Sequence, residues 1–179
     1  FYYYTYLVIG LALLGIGAGG VLVAISRRMR RASTDAILMW SLLLGAASVG
    51  VGYLLVAVTR TDSLTLWDYG TFDSVSSLAR LVLICLVLFA SFIAIGVVLA
   101  TLFGRRSEEI GRLYFADLLG AGLACAVVVW LLGSIGPPAA IVLAGLIMAL
   151  AGVRIAARRR SRVAPVGAVM ALLLAVAVV

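Results

Sequence analysis

The chain has no histidine and no lysine, only two cysteines and three prolines, and charged side chains at just 12% of its 179 positions. Each scarcity excludes something. Without imidazole, most zinc sites, histidine-ligated haem and Ser-His or Cys-His nucleophile pairs are ruled out. No metal, no cofactor and no catalytic constellation is expected from the residues. Cys85 and Cys125 both fall inside apolar runs. A disulfide framework needs paired cysteines in oxidising aqueous surroundings. Buried free thiols acting as small apolar groups are expected instead. The missing lysines and the excess of Ala, Gly, Val, Leu and Arg read as the coding bias of a GC-rich genome.

What is present is hydrocarbon. The chain is 65% hydrophobic, with a mean hydropathy of +1.26. Soluble domains are about half apolar and a quarter charged, so this chain must use lipid as its solvent. A spanning helix takes roughly 20 apolar residues. The apolar runs divide the sequence into spans at about 2–25, 36–58, 78–103, 113–132, 139–157 and 164–179. The expected fold class is all-α, a polytopic transmembrane bundle of about six spans forming a single domain. Phe1 to Tyr6 form an aromatic cluster of the kind found at a membrane interface. No basic segment precedes it and no cleavage site closes it, so it is not read as a signal peptide. The absence of an initiator methionine and the apolar end at Val179 suggest a fragment of a longer chain.

The fourteen arginines are not spread evenly. The gaps at 27–31, 105–112 and 154–162 hold four, three and five of them, while the other two gaps hold two and none. The positive-inside rule assigns the three rich gaps to the cytoplasm. Both ends of the chain then lie outside, and a bacterial cytoplasmic membrane is the expected setting. The net charge of +7 is therefore a topology signal, and no nucleic-acid partner is expected, because the basic residues are divided among separate loops. The one long polar stretch, 59–77, carries Asp62, Asp68 and Asp73 against Arg60. It interleaves Trp67, Tyr69 and Phe72, a candidate docking surface for another membrane subunit or simply a patch lying on lipid. Asp73, Ser74, Ser76 and Ser77 are candidate helix N-caps. Gly133 to Pro138, GSIGPP, reads as a tight turn between antiparallel helices.

Small residues recur four apart at Gly15/Gly19, Ser48/Gly52, Gly96/Ala100/Gly104 and Ala116/Gly120/Ala124. Lipid supplies no hydrophobic drive between helices, so close approach at small residues must hold a bundle together. Gly15, Gly17, Gly19 and Gly20 lie within a span, not between a strand and a helix. A phosphate-binding loop is excluded there. Asp117 is the one carboxylate inside an apolar run, and a charge there costs several kcal/mol unless paired or wetted. Either it serves a proton or cation relay or contacts a substrate, or it is structural, favoured by a nearby helix N-terminus and paired with Arg112 or Arg106. Arg112 and Tyr114 mark the same membrane entrance and read as interface anchors or part of that polar site. Glu108 and Glu109 among arginines read as a solvated turn.

Two segments resemble a known family. IGLALLGIGAGGVLVAISRR, Ile9 to Arg28, is similar to the apolar helix, spaced glycines and basic turn found in the membrane domain of spermidine synthase-like proteins. IGRLYFADLLGAGLACAVVVWLLGSIGPPAAIVLAGLIMALAG, Ile110 to Gly152, resembles that family's GRLYAADLLGAGLG helix and following Gly-Pro turn, with Arg112, Tyr114 and Asp117 in order. Together they cover about a third of the chain. The resemblance implies a helical membrane region joined to a soluble aminopropyltransferase-like domain that binds an S-adenosylmethionine-type ligand. No segment here matches that domain, so no catalytic residue is carried over, and a transferase could lie beyond Val179. Such a domain belongs in the cytoplasm, whereas the charge pattern puts Val179 outside. Either the last segment does not cross, or the downstream domain is absent or repurposed.

The function expected is a membrane anchor or scaffold whose partners are membrane lipid and, through docking or self-association, other membrane subunits. Its rivals are an accessory subunit of a larger complex, a half-transporter using Asp117, and an enzyme with a site at 59–77 or 105–112.

Overall fold

A computed structural model describes residues 2–58, 72–159 and 163–178, with side chains described for 5–58, 78–159 and 163–175. The helices are α1 (Tyr2–Ile25), the short α2 (Arg27–Arg31), α3 (Thr34–Val58), α4 (Phe72–Arg105), α5 (Ile110–Ser134), α6 (Gly136–Arg158) and α7 (Ala164–Val178). No strand occurs among the described residues. The fold is all-α, and five of the helices are long and apolar enough to cross a membrane. The chain is an integral membrane protein. The sixth expected span is α7, with 15 residues. At about 1.5 Å per residue it covers roughly 22 Å, short of the ~30 Å hydrocarbon core.

Two connections differ from expectation. The gap expected at 104–112 shrinks to a single 3-10 turn, Ser107–Glu109, because α4 continues to Arg105 and α5 starts at Ile110. Helix α4 begins at Phe72, so Asp73 and the serines after it lie inside the helix rather than capping it. The turn into α6 is as tight as its composition implies. The Ile135 amide donates to Leu131 O at 3.0 Å, and Gly136 then takes φ +79°. This is the left-handed ending that glycine adopts without strain. Pro137 and Pro138 follow in the first turn of α6, where the missing N–H groups have no intrahelical partner to lose.

The bundle is a row in which α1 packs on α4, α4 on α3, α3 on α6 and α6 on α7. Small residues set each approach. A Cβ placed on Gly19 would lie 2.5 Å from Ile93 O and 2.7 Å from Val97 N. Gly15 faces Phe92 Cβ in the same way, and Gly96 abuts the backbone of Ile16. Helices α1 and α4 therefore meet backbone to backbone. Across α3, α6 and α7 the core is also built from small groups. Ala46, Val142, Ala149, Ala171 and Leu174 form one buried cluster, and Met39, Leu43 and Ala156 form a second. Gly145 seats Val49 and Gly152 seats Leu43.

One expected stripe fails. Ala116, Gly120 and Ala124 lie on α5, which has no buried residue. A Cβ at Gly120 would meet nothing within 4 Å. Along α5 only Leu113 and Leu131, one near each end, are half-buried. The 3-10 turn and the Ile135–Gly136 joint hold the helix at its two ends and leave its middle free of the row.

Candidate functional site

The arginine-rich segments gather at one end of the bundle. Arg105, at the end of α4, donates from Nη2 to Met29 O and from Nη1 to Ala32 O, both at 2.6 Å. Longer contacts of 3.3 Å reach Arg30 O and Thr34 Oγ1. This joins the 27–31 segment to the 105–112 segment. The buried cluster of Met39 and Leu43 on α3 with Ala156 on α6 brings the 154–159 segment to the same end.

The clamp has a clear physical basis. Helix α2 has five residues, and the Ala32 amide at its end reaches Arg28 O at 3.0 Å and Met29 O at 3.2 Å, so the carbonyls after them need partners from elsewhere. Its start is capped by Ser26, whose Oγ accepts from the Met29 amide at 3.3 Å. Its end is closed by the planar, permanently charged guanidinium of Arg105. The fork reaches two carbonyls at once, and its charge suits the negative end of a helix. In the sequence Arg105 stands out only as a topology charge. Its acceptors lie more than 70 positions away, and no local pattern announces them.

Two more polar groups sit between helices. Ser48 Oγ on α3 and Ser91 Oγ on α4 are 2.7 Å apart. Ser48 Oγ also lies 2.8 Å from Gly45 O, and Ser91 Oγ lies 3.3 Å from Val87 O. Each hydroxyl has one proton, so only one of the two backbone carbonyls is served while the serines bond each other. Thr101 on α4 is fully enclosed, and its Oγ1 has no hydrogen-bond partner. A buried unsatisfied hydroxyl costs about 1–3 kcal/mol. Thr101→Val, which removes the hydroxyl and keeps the branched shape, is expected to stabilise the bundle by about 1 kcal/mol. A higher unfolding midpoint in detergent checks this.

The residues singled out on α5 do not form a cluster. Tyr114 and Asp117 are three apart and share a face, whereas Arg112, five before Asp117, lies about 140° around the helix. All three are exposed. Asp117 is the eighth residue of α5, past the first turn where the helix dipole acts. The one ion pair among the described residues joins Arg106 to Glu109 at 4.0 Å, with both side chains half exposed. The expected pairing of Asp117 with Arg112 or Arg106 is not formed. Trp67 and Tyr69 lie outside the described residues, as does the side chain of Phe72, the first residue of α4. Both cysteines are free; Cys85 is half-buried, but Cys125 is exposed on α5 and not buried as expected. No group of metal-ligating side chains occurs among the described residues.

Two open apolar grooves mark the row. One, of about 370 Å³, runs between α1 and α4 along Leu7, Leu14, Leu81, Cys85 and Phe89. The other, of about 230 Å³, lies between α2 and α3 and is lined by Arg28, Ala36, Trp40 and Leu44 among others.

Compared with protein-family models, with curated proteins and with solved structures, the chain matches none.

Proposed function

We propose that the chain is the integral membrane domain of a spermidine synthase-like protein, in which it acts as anchor or scaffold and contributes no catalytic residue. The observation that carries the scaffold role is α5. A spanning helix of 25 residues lies uncovered along its middle, with Asp117 and small residues exposed on it. Asp117, Gly120, Ala121 and Ala124 fall on one side of an α-helix. Small residues there permit a second helix to approach closely, and a carboxyl in hydrocarbon gains from a hydrogen-bond donor on it. This is also the segment whose residues resemble the family most closely, from Arg112 through Tyr114 and Asp117. In this reading the arginine-rich end faces the cytoplasm of a bacterial cell, following the positive-inside rule.

The half-transporter alternative draws less support, since Asp117 lines neither of the two grooves. The accessory-subunit alternative shares the α5 surface with the scaffold reading and differs only in what docks there.

Gly120→Ile separates these readings. The site is open, so the bundle is expected to keep its helicity and unfolding midpoint. A scaffold is expected to lose at least tenfold in association with its co-purifying partner or second copy, read by cross-linking through Cys125 in membranes. Unchanged cross-linking in Gly120→Ile, together with proton-coupled uptake in liposomes that Asp117→Asn abolishes, would overturn the scaffold in favour of the transporter.

A further inference from the structure

The groove between α2 and α3 is apolar and has a single charged residue, Arg28, in its lining. Its lining runs from Arg28 on α2 through Ala32 to Ala36, Trp40 and Leu44 on α3. Helix α3 rises about 1.5 Å per residue. Trp40 therefore lies about 9 Å below Thr34, at the depth of an interfacial aromatic belt, and Leu44 about 15 Å below it. Trp40 is 49% exposed and Leu44 60% exposed, so this part of the lining is open to lipid from the side. The α2 end of the groove is positive. Arg27, Arg28, Arg30 and Arg31 crowd α2, and none of them has an ion-pair partner among the described residues. Asp35, the carboxylate of α3, forms no ion pair with them among the described residues. The carbonyls at the end of α2, which could otherwise offset this charge, are already taken up by Arg105.

We infer that this groove binds an anionic phospholipid of the leaflet at the arginine-rich end, its phosphate on Arg28 and one acyl chain along Ala36, Trp40 and Leu44. Charge complementarity selects the headgroup, and the apolar trough that Arg28 helps to line selects a lipid over a free anion. The site is independent of α5 and holds whether the bundle is a scaffold or a carrier.

The test uses Trp40 as the reporter. The chain has three tryptophans, and Trp67→Phe with Trp130→Phe leaves Trp40 alone. The full chain is reconstituted in phosphatidylcholine vesicles. Brominated phosphatidylglycerol and brominated phosphatidylcholine are then compared as quenchers. The anionic lipid is expected to quench Trp40 at a roughly fivefold lower mole fraction, as one well-placed arginine provides. Arg28→Gln is expected to erase that preference, whereas Arg28→Lys and Arg31→Gln keep it, all with unchanged helicity. Equal quenching by the two lipids in the parent overturns the site. So does an Arg31→Gln loss as large as that of Arg28→Gln, which means diffuse surface attraction. Relief of quenching by millimolar inorganic phosphate means a free-anion site, and quenching that fades as protein density rises means that a second copy covers the groove. Either result also overturns the proposal.

Discussion

Gly19→Ala is expected to loosen the α1–α4 contact and to destabilise the bundle by about 1–2 kcal/mol, and Gly19→Leu by more, enough to part the two helices. The reason is what a side chain would meet. The added Cβ would lie 2.5 Å from Ile93 O, 2.7 Å from Val97 N and 2.8 Å from Gly96 C. These are backbone atoms of a helix, so no rotamer change relieves the clash and α4 must move as a body. Alanine regains up to about 1 kcal/mol of helix propensity, which is why its net loss stays modest. Gly17 supplies the control. It lies two residues away on the same helix, and a methyl group there would meet nothing within 4 Å, so Gly17→Ala is expected to be neutral or slightly stabilising. Unfolding of the three variants in detergent, followed by circular dichroism, checks the order. Equal behaviour of Gly17→Ala and Gly19→Ala would mean that α1 does not pack through Gly19.

Arg105→Ala is expected to cost about 2–3 kcal/mol and to melt α2 before the rest of the bundle. Hydrogen bonds to a charged group contribute about 1.5–3 kcal/mol each. Arg105 makes two short ones, but it is half-buried rather than enclosed, and water replaces part of what is lost. The substitution strips the partner from Ala32 O, leaves Met29 O with only the 3.2 Å bond from the Ala32 amide, and leaves a five-residue helix that cannot persist alone. Arg105→Lys restores the charge but not the fork, since an ammonium lacks the planar geometry that meets two carbonyls together. It is expected to recover less than half of the loss. Hydrogen exchange of the amides from Arg30 to Ala32 is the direct measurement. Fast exchange there in Arg105→Ala, with α3 and α6 still protected, is the expected pattern. Protection unchanged from the parent would show that α2 stands without the clamp.

These two effects also show where the sequence was informative. The spaced glycines of α1 and Gly96 of α4 stood out as contact stripes, and they do meet. The Ala116/Gly120/Ala124 stripe has the same spacing on α5, yet all three are exposed and a Cβ on Gly120 would meet nothing within 4 Å. Spacing states that a close approach is possible; it does not state which helix arrives. The same holds for charge. Arg105, Arg106 and Arg112 read alike as topology residues, yet Arg105 closes a helix end, Arg106 lies in an exposed pair with Glu109, and Arg112 stands on the free helix.

What the sequence determined by itself was the solvent of the protein and its all-α class. Hydropathy and positive charge act segment by segment, and each apolar run must satisfy its backbone internally as a helix whatever its neighbours do. The tight turn at Gly136 was likewise local, since Gly and Pro carry their preferred angles with them. The tertiary structure alone decided which helices pair, that α5 is held only near its ends, that Asp117 lacks the expected arginine, and that Arg28 helps to line an apolar groove. Each of these depends on where segments tens of residues apart come to rest. That is set by the fit of small-residue surfaces in three dimensions, which no single segment contains.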